Sequence, residues 1–188
     1  MFLSVCAFSI MDLIVKWSTD YPIGQVLFFR GFFGIIFYFF IIPKDRLNNF
    51  YLTKRAGLHF LRCLSGLIAL VAIFIALRSL PLATVVSISF AAPIFTTILS
   101  IFLLKEKVGI FRWLAVLIGF IGILVITEPG ISSLNIYYIF PIIFCLGLSY
   151  VAIAIRQLST TEPVWLISFY FSLSITFLSL FTIPQGWI

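Results

Sequence analysis

Apolar residues in this chain come in long unbroken runs, and the charges collect in the short joints between them. Seven runs stand out, at about 1–17, 22–42, 57–79, 82–104, 111–127, 134–156 and 163–183. A helix needs roughly 20 apolar residues to cross the hydrocarbon core of a bilayer, and most of these runs meet or approach that length. Residues 32–42 and 114–125 are apolar on all sides. A transmembrane β-strand would instead alternate apolar and polar over roughly 10 residues. The pattern therefore predicts an all-α integral membrane protein with about seven transmembrane helices.

Composition agrees. Hydrophobic residues make up 63% of the 188, charged residues only 10%, and mean hydropathy is +1.24. A soluble domain of this size could not keep so much apolar surface out of water. The first run does not read as a cleaved signal. It lacks a basic start, carries Asp12 and Lys16, and has no small-residue cleavage site before Pro22.

The net charge of +6 raises the question of nucleic acid, but the basic residues do not gather with aromatics on one soluble surface. Lys44, Arg46, Lys54, Arg55 and Arg62 surround the second joint, Lys105, Lys107 and Arg112 the fourth, and Arg156 ends the sixth run. These alternate joints share one side, which the positive-inside rule makes cytoplasmic. A multi-pass protein of the plasma or inner membrane is expected, with a cytoplasmic N-terminus, residue 188 outside and no nucleic-acid partner. Trp17, Tyr21, Trp113 and Trp187 lie at run ends and suit an interfacial belt.

Cys6, Cys63 and Cys145 each sit in a different apolar run and read as small buried hydrophobes. No metal-ligand spacing is present, and no cofactor is expected. His59, the single histidine, stands beside a basic joint and reads as solvated or interfacial. Residues 43–55 form the longest joint and carry Leu47, Phe50, Tyr51 and Leu52 among charges, as a segment lying along the headgroups would. Glu128-Pro129-Gly130 ends the fifth run.

An internal echo divides the seven runs. Ser18-Thr19-Asp20-Tyr21-Pro22 resembles Ser159-Thr160-Thr161-Glu162-Pro163, and Phe28-Phe29 aligns with Phe169-Tyr170, both at an offset of 141 residues. Chance in a low-complexity apolar chain is the competing account. A repeat unit of five helices is odd, so its second copy enters the membrane inverted, as in many secondary transporters.

Residues 78–93, Arg-Ser-Leu-Pro-Leu-Ala-Thr-Val-Val-Ser-Ile-Ser-Phe-Ala-Ala-Pro, resemble the third-to-fourth helix hairpin of EamA-type proteins in the drug/metabolite transporter superfamily. Leu104-Lys105-Glu106-Lys107, Arg112-Trp113, Gly119-Phe120-Ile121-Gly122 and Phe28-Phe29-Arg30 are similar to further parts of that family. The resemblance implies ten helices in two inverted five-helix repeats, a central cavity and alternating access. On it, 1–130 would be one full repeat and 131–188 the first two helices of a second. The chain would then be C-terminally truncated, or completed by a homodimer partner.

Asp12 and Arg30 are the charges that interrupt the oil. Each lies eight residues from the outer hinge, at Asp20 or Pro22, or about 12 Å deep at roughly 1.5 Å per residue. On adjacent antiparallel helices they are expected to pair, either as a register lock or as a substrate or proton site. Lys16, one turn after Asp12, joins them or snorkels to the surface. Pro93 is expected to kink the fourth run, as a packing feature or a gating hinge, with Ser87 and Ser89 offering hydroxyls to the freed backbone. Tyr150 and Tyr170 are further candidates for substrate contact, and Ala115, Gly119 and Gly122 for close helix packing.

A secondary transporter of a small metabolite, importing or exporting, is the expected function. A non-transporting membrane partner is the alternative. A membrane-embedded enzyme is disfavoured, because the six acidic residues are scattered, and ATP-driven pumping because a Walker A sequence is missing.

Overall fold

The computed structural model describes residues 2–18, 20–41, 53, 55–105, 109–127 and 136–187. Eight α-helices occupy them: α1 Phe2–Trp17, α2 Ile23–Ile41, α3 Ala56–Ser79, α4 Leu82–Ser89, α5 Ala92–Leu104, α6 Ile110–Thr127, α7 Ile139–Leu158 and α8 Val164–Leu180. Short 3-10 turns cover Ile136–Tyr138 and Ile183–Gln185. No strand occurs among the described residues.

The helices follow the apolar runs, because a backbone without water must meet its own hydrogen bonds. Three spans are long and apolar enough to cross a bilayer, at Ala56–Ser79, Leu82–Leu104 and Ile136–Leu158, and shorter apolar stretches fill the other runs. Large apolar side chains stand exposed, among them Phe111, Ile118 and Phe40, as they do where lipid is the solvent. The chain is an all-α integral membrane protein. The joint at 43–52 and Glu128-Pro129-Gly130 lie outside the described residues.

Two compact units divide the chain, each drawing on both sides of residue 130. The first comprises Met1–Thr19 and Ile68–Tyr150. Its fourth run is interrupted before Pro93. Helix α4 ends at Ser89, Phe90 and Ala91 turn, and α5 begins at Ala92 with Pro93 in its first turn. There the missing proline N–H costs nothing, because first-turn N–H groups have no helical acceptor. Helix α7 supplies donors at the break. Cys145 Sγ approaches Ile88 O at 3.4 Å, and Ser149 Oγ donates to Ala92 O at 2.9 Å. Ala91, Ala92 and Cys145 form a small core there with Ile94, Phe95 and Phe144.

The second unit comprises Asp20–Leu67 and Val151–Ile188. Its frame is the packing of α2 on α8. A Cβ on Gly24 would fall 1.8 Å from Thr182 Oγ1, one on Gly31 2.4 Å from Thr176 Oγ1, and one on Gly34 2.8 Å from Ser172 Oγ. The partner numbers fall as the glycine numbers rise, so the two helices run antiparallel. Near the start of α2, Phe28 meets Trp187 at 5.2 Å, and the indole N–H donates to Thr182 Oγ1. The glycines expected to pack closely behave differently. A Cβ on Gly119 or Gly122 would meet nothing within 4 Å, while Gly24, Gly31 and Gly34 make the tight seam.

Candidate functional site

The start of α3 carries a polar cluster inside the second unit. His59 lies on the second turn's edge and Arg62 three residues on, so both project from one helix face. Both are buried, at 4% and 6% exposure. This corrects one expectation: His59 is buried rather than solvated.

Across from them is Glu162, buried at 7% exposure, immediately before the proline that opens α8. His59 Nε2 pairs with Glu162 Oε2. Thr53 Oγ1 donates to Glu162 Oε1 at 2.5 Å, so both carboxylate oxygens are engaged. Tyr170, one of the predicted residues, sets its ring 4.9 Å from the imidazole. Arg55 Nη1 donates to Gln157 O near the end of α7. The start of α3, the end of α7 and the start of α8 thus share one end of the unit.

One turn deeper, the Arg62 guanidinium carbon lies 4.0 Å from the centroid of the Phe171 ring. Phe171 fits there because Gly66 has no side chain; a Cβ would fall 2.7 Å from Phe171 Cε2. A desolvated cation over a ring gains about 2 kcal/mol. Yet Arg62 Nε and Nη1 and His59 Nδ1 are buried without a hydrogen-bond partner among the described residues. A carboxylate takes a proton rather than gives one, so His59 Nε2 carries the hydrogen towards Glu162. The cluster gathers a guanidinium, an imidazole and a carboxylate at one end of the unit.

The other predicted residues lie elsewhere. Asp12 is on α1 in the first unit and Arg30 on α2 in the second, each half-buried and neither without a partner. Lys16 Nζ donates to Leu77 O at 3.2 Å and to Leu80 O at 2.8 Å, closing the end of α3. Arg78 Nη2 returns a bond to Ser18 O at 2.8 Å. Ser89 Oγ donates to Val85 O at 2.7 Å, one turn back in α4, rather than to the break. Tyr150 is half-buried at the end of the first unit, and Pro93 is exposed. No group of three or more potential metal ligands occurs among the described residues.

Sequence reasoning missed His59, Arg62 and Glu162. The signal available was the spacing of His59 and Arg62 on a helix that is otherwise almost wholly apolar from Leu58 to Ile75.

A helical membrane protein with a buried polar cluster between apolar helices is the class these observations define. The EamA-like transporter family matches residues 1–128, and the chain belongs to it. It is 29% identical over 188 residues to an S-adenosylmethionine uptake transporter of Rickettsia prowazekii, an overlap covering 99% of this chain and 63% of that protein. It is 27% identical over 184 residues to a pseudopaline exporter of Pseudomonas aeruginosa, covering 96% of this chain and 62% of that one. An uncharacterized transporter of Helicobacter pylori is 32% identical over 139 residues, 71% of this chain and 45% of that protein. The chain therefore spans just under two thirds of the length of the first two relatives.

Proposed function

We propose that this chain forms part of a secondary transporter that moves a small metabolite across the cell membrane by alternating access. The observation that carries the proposal is the similarity along almost the whole chain to a named metabolite transporter. One relative imports and another exports, so similarity supports transport without a direction. The reading includes no catalytic step.

An inverted repeat of 1–130 and 131–188 belongs to the same proposal. Pro22 and Pro163 each stand one residue before a helix, α2 and α8. These helices run antiparallel, and the offset of 141 residues takes Gly31 to Ser172, whose carbonyl oxygen lies 2.9 Å from the Cβ position on Gly31. A two-fold axis sets a residue lying on it against its own counterpart, which supports an axis between α2 and α8. The end of the second unit holding Arg55 and Arg156 is assigned to the cytoplasm on charge. Asp12, Arg30 and Tyr150 are assigned to the solute path, and the α4–α5 break near Pro93 to gating.

Counterflow tests this. Liposomes holding the purified chain and preloaded with S-adenosylmethionine should accumulate labelled S-adenosylmethionine from outside, and protein-free liposomes should not. Folded protein that gives no counterflow with this or any of a panel of small metabolites would overturn the reading.

A further inference from the structure

We propose that the contacts of Thr53, Arg55 and His59 with the α7–α8 joint form a gate, which closes one mouth of the solute path and parts in each transport cycle. The proposal rests on the transporter reading and adds to it the place where the path shuts.

Three ties meet at that place. His59 Nε2 pairs with Glu162 Oε2, Thr53 Oγ1 donates to Glu162 Oε1 at 2.5 Å, and Arg55 Nη1 donates to Gln157 O at 3.3 Å. Every tie runs from residues 53–59 to residues 157–162. Each therefore joins the segment assigned to the first repeat to the segment assigned to the second. Alternating access rocks one repeat against the other. Bonds that cross between repeats at one end must then break when that end opens. The α2–α8 seam also crosses between repeats, but it is centred on the proposed axis near Gly31 and Ser172, where rocking displaces atoms least.

What lies behind the ties suits a gate rather than a fixed seal. His59, Arg62, Cys63 and Gly66 share the buried face of α3, while Phe60, Leu61 and Leu64 stand exposed on the other. That buried face meets Tyr170 and Phe171 of α8 and Val151 of α7. Arg55 is exposed, so water already stands at the outer edge of the contact. Arg62 is one turn deeper than His59, and its Nε and Nη1 have no acceptor among the described residues. A buried donor left unmet carries its desolvation cost, and more so on a charged group. Water entering as the mouth parts hydrates those donors. The ties favour the closed mouth and hydration of Arg62 favours the open one, so the contact is poised between two states.

Cys63 is a built-in reporter of opening. It lies one turn deeper than His59 at 7% exposure, and Cys145 of the first unit, fully buried, is its control. The full chain in lipid nanodiscs is treated with a charged methanethiosulfonate at fixed pH, and labelling of each cysteine is followed by mass spectrometry. Thr53→Val combined with Arg55→Gln removes two ties and keeps the His59–Glu162 pair. This double variant should raise the Cys63 rate about tenfold, the scale of a lost hydrogen bond, with the Cys145 rate unchanged. An unchanged Cys63 rate, or equal rises at both cysteines, overturns the gate.

A second arm separates a gate from a permanent seal. Arg55→Cys with Gln157→Cys, linked by a short reducible bis-methanethiosulfonate, should lose counterflow of whichever panel metabolite the wild type carries, and recover it on reduction. The same protein capped with a monofunctional methanethiosulfonate should keep it. Counterflow that survives the link overturns the gate and leaves the transporter reading standing. Wild type without counterflow of any tested metabolite overturns the transporter reading and the gate with it, even where Cys63 opens.

Discussion

The two ends of α3 treat positive charge in opposite ways. At the far end, Lys16 of α1 reaches Leu77 O and Leu80 O, carbonyls that a helix terminus leaves open, and Arg78 returns a bond to Ser18 O. Cations suit this place, because the helix dipole is negative there. At the near end, Arg62 is more deeply buried, yet two of its donors meet nothing described. One end uses charge to finish a helix and fix a neighbour. The other lays its charge over the Phe171 ring. The contrast separates two uses of a cation, where sequence position alone shows only basic residues in apolar helices.

The largest expected effect tests what holds the near end together. Glu162→Ala strips the partner from His59 and the acceptor from Thr53. Breaking a buried pair by removing one side costs about 3 kcal/mol. Thermal unfolding in a fixed detergent should show a clear drop in midpoint, and Glu162→Gln, which still accepts, should recover much of it. A midpoint unchanged in Glu162→Ala would mean that the pair does not bind α3 to the α7–α8 joint.

Lys16→Met should have the next effect. It retains the apolar stem and removes two bonds to the end of α3, for a loss of about 1.5 kcal/mol. Transport per folded molecule should be little changed. A severe transport defect with normal stability would erase the contrast between the two ends and return Lys16 to the solute path.

A smaller effect is expected at Gly66→Ala, between the ends. The new Cβ would meet Phe171 Cε2 at 2.7 Å and Val151 Cγ2 at 3.4 Å. The ring must shift, for a cost of about 1 kcal/mol. Because Phe171 also covers Arg62, the guanidinium must move with the ring, and an unchanged midpoint would mean that the ring yields freely.

Much of the architecture was legible in the sequence, since helix positions follow from apolar run length and the bilayer's demand for satisfied backbone. Runs 57–79 and 82–104 correspond closely to spans Ala56–Ser79 and Leu82–Leu104. Even the disruption near Pro93 was legible, with the proline standing in the first turn of α5. The site was not, because its partners are far apart in sequence. His59 and Glu162 are 103 residues apart, and no local pattern links a histidine near one joint to an acid in another. Counting Arg62 with the flanking charges hid its depth in α3. The glycine seam was hidden for a similar reason. Ala115 and Gly119 have a recognisable spacing, but Gly119 and Gly122 face nothing within 4 Å, whereas Gly24, Gly31 and Gly34 matter through residues on and just after α8.

The smallest stability effect is expected at Arg62. Arg62→Gln removes a buried charge whose donors are only partly met, and keeps a polar side chain of similar reach. Replacing an incompletely satisfied buried ion is commonly neutral, so stability should stay within about 0.5 kcal/mol of wild type or rise. The lost stacking on Phe171 opposes that gain. A clear fall in the unfolding midpoint would mean that Arg62 is as structural as Lys16. Unfolding measured for both variants under one condition separates the two ends of α3.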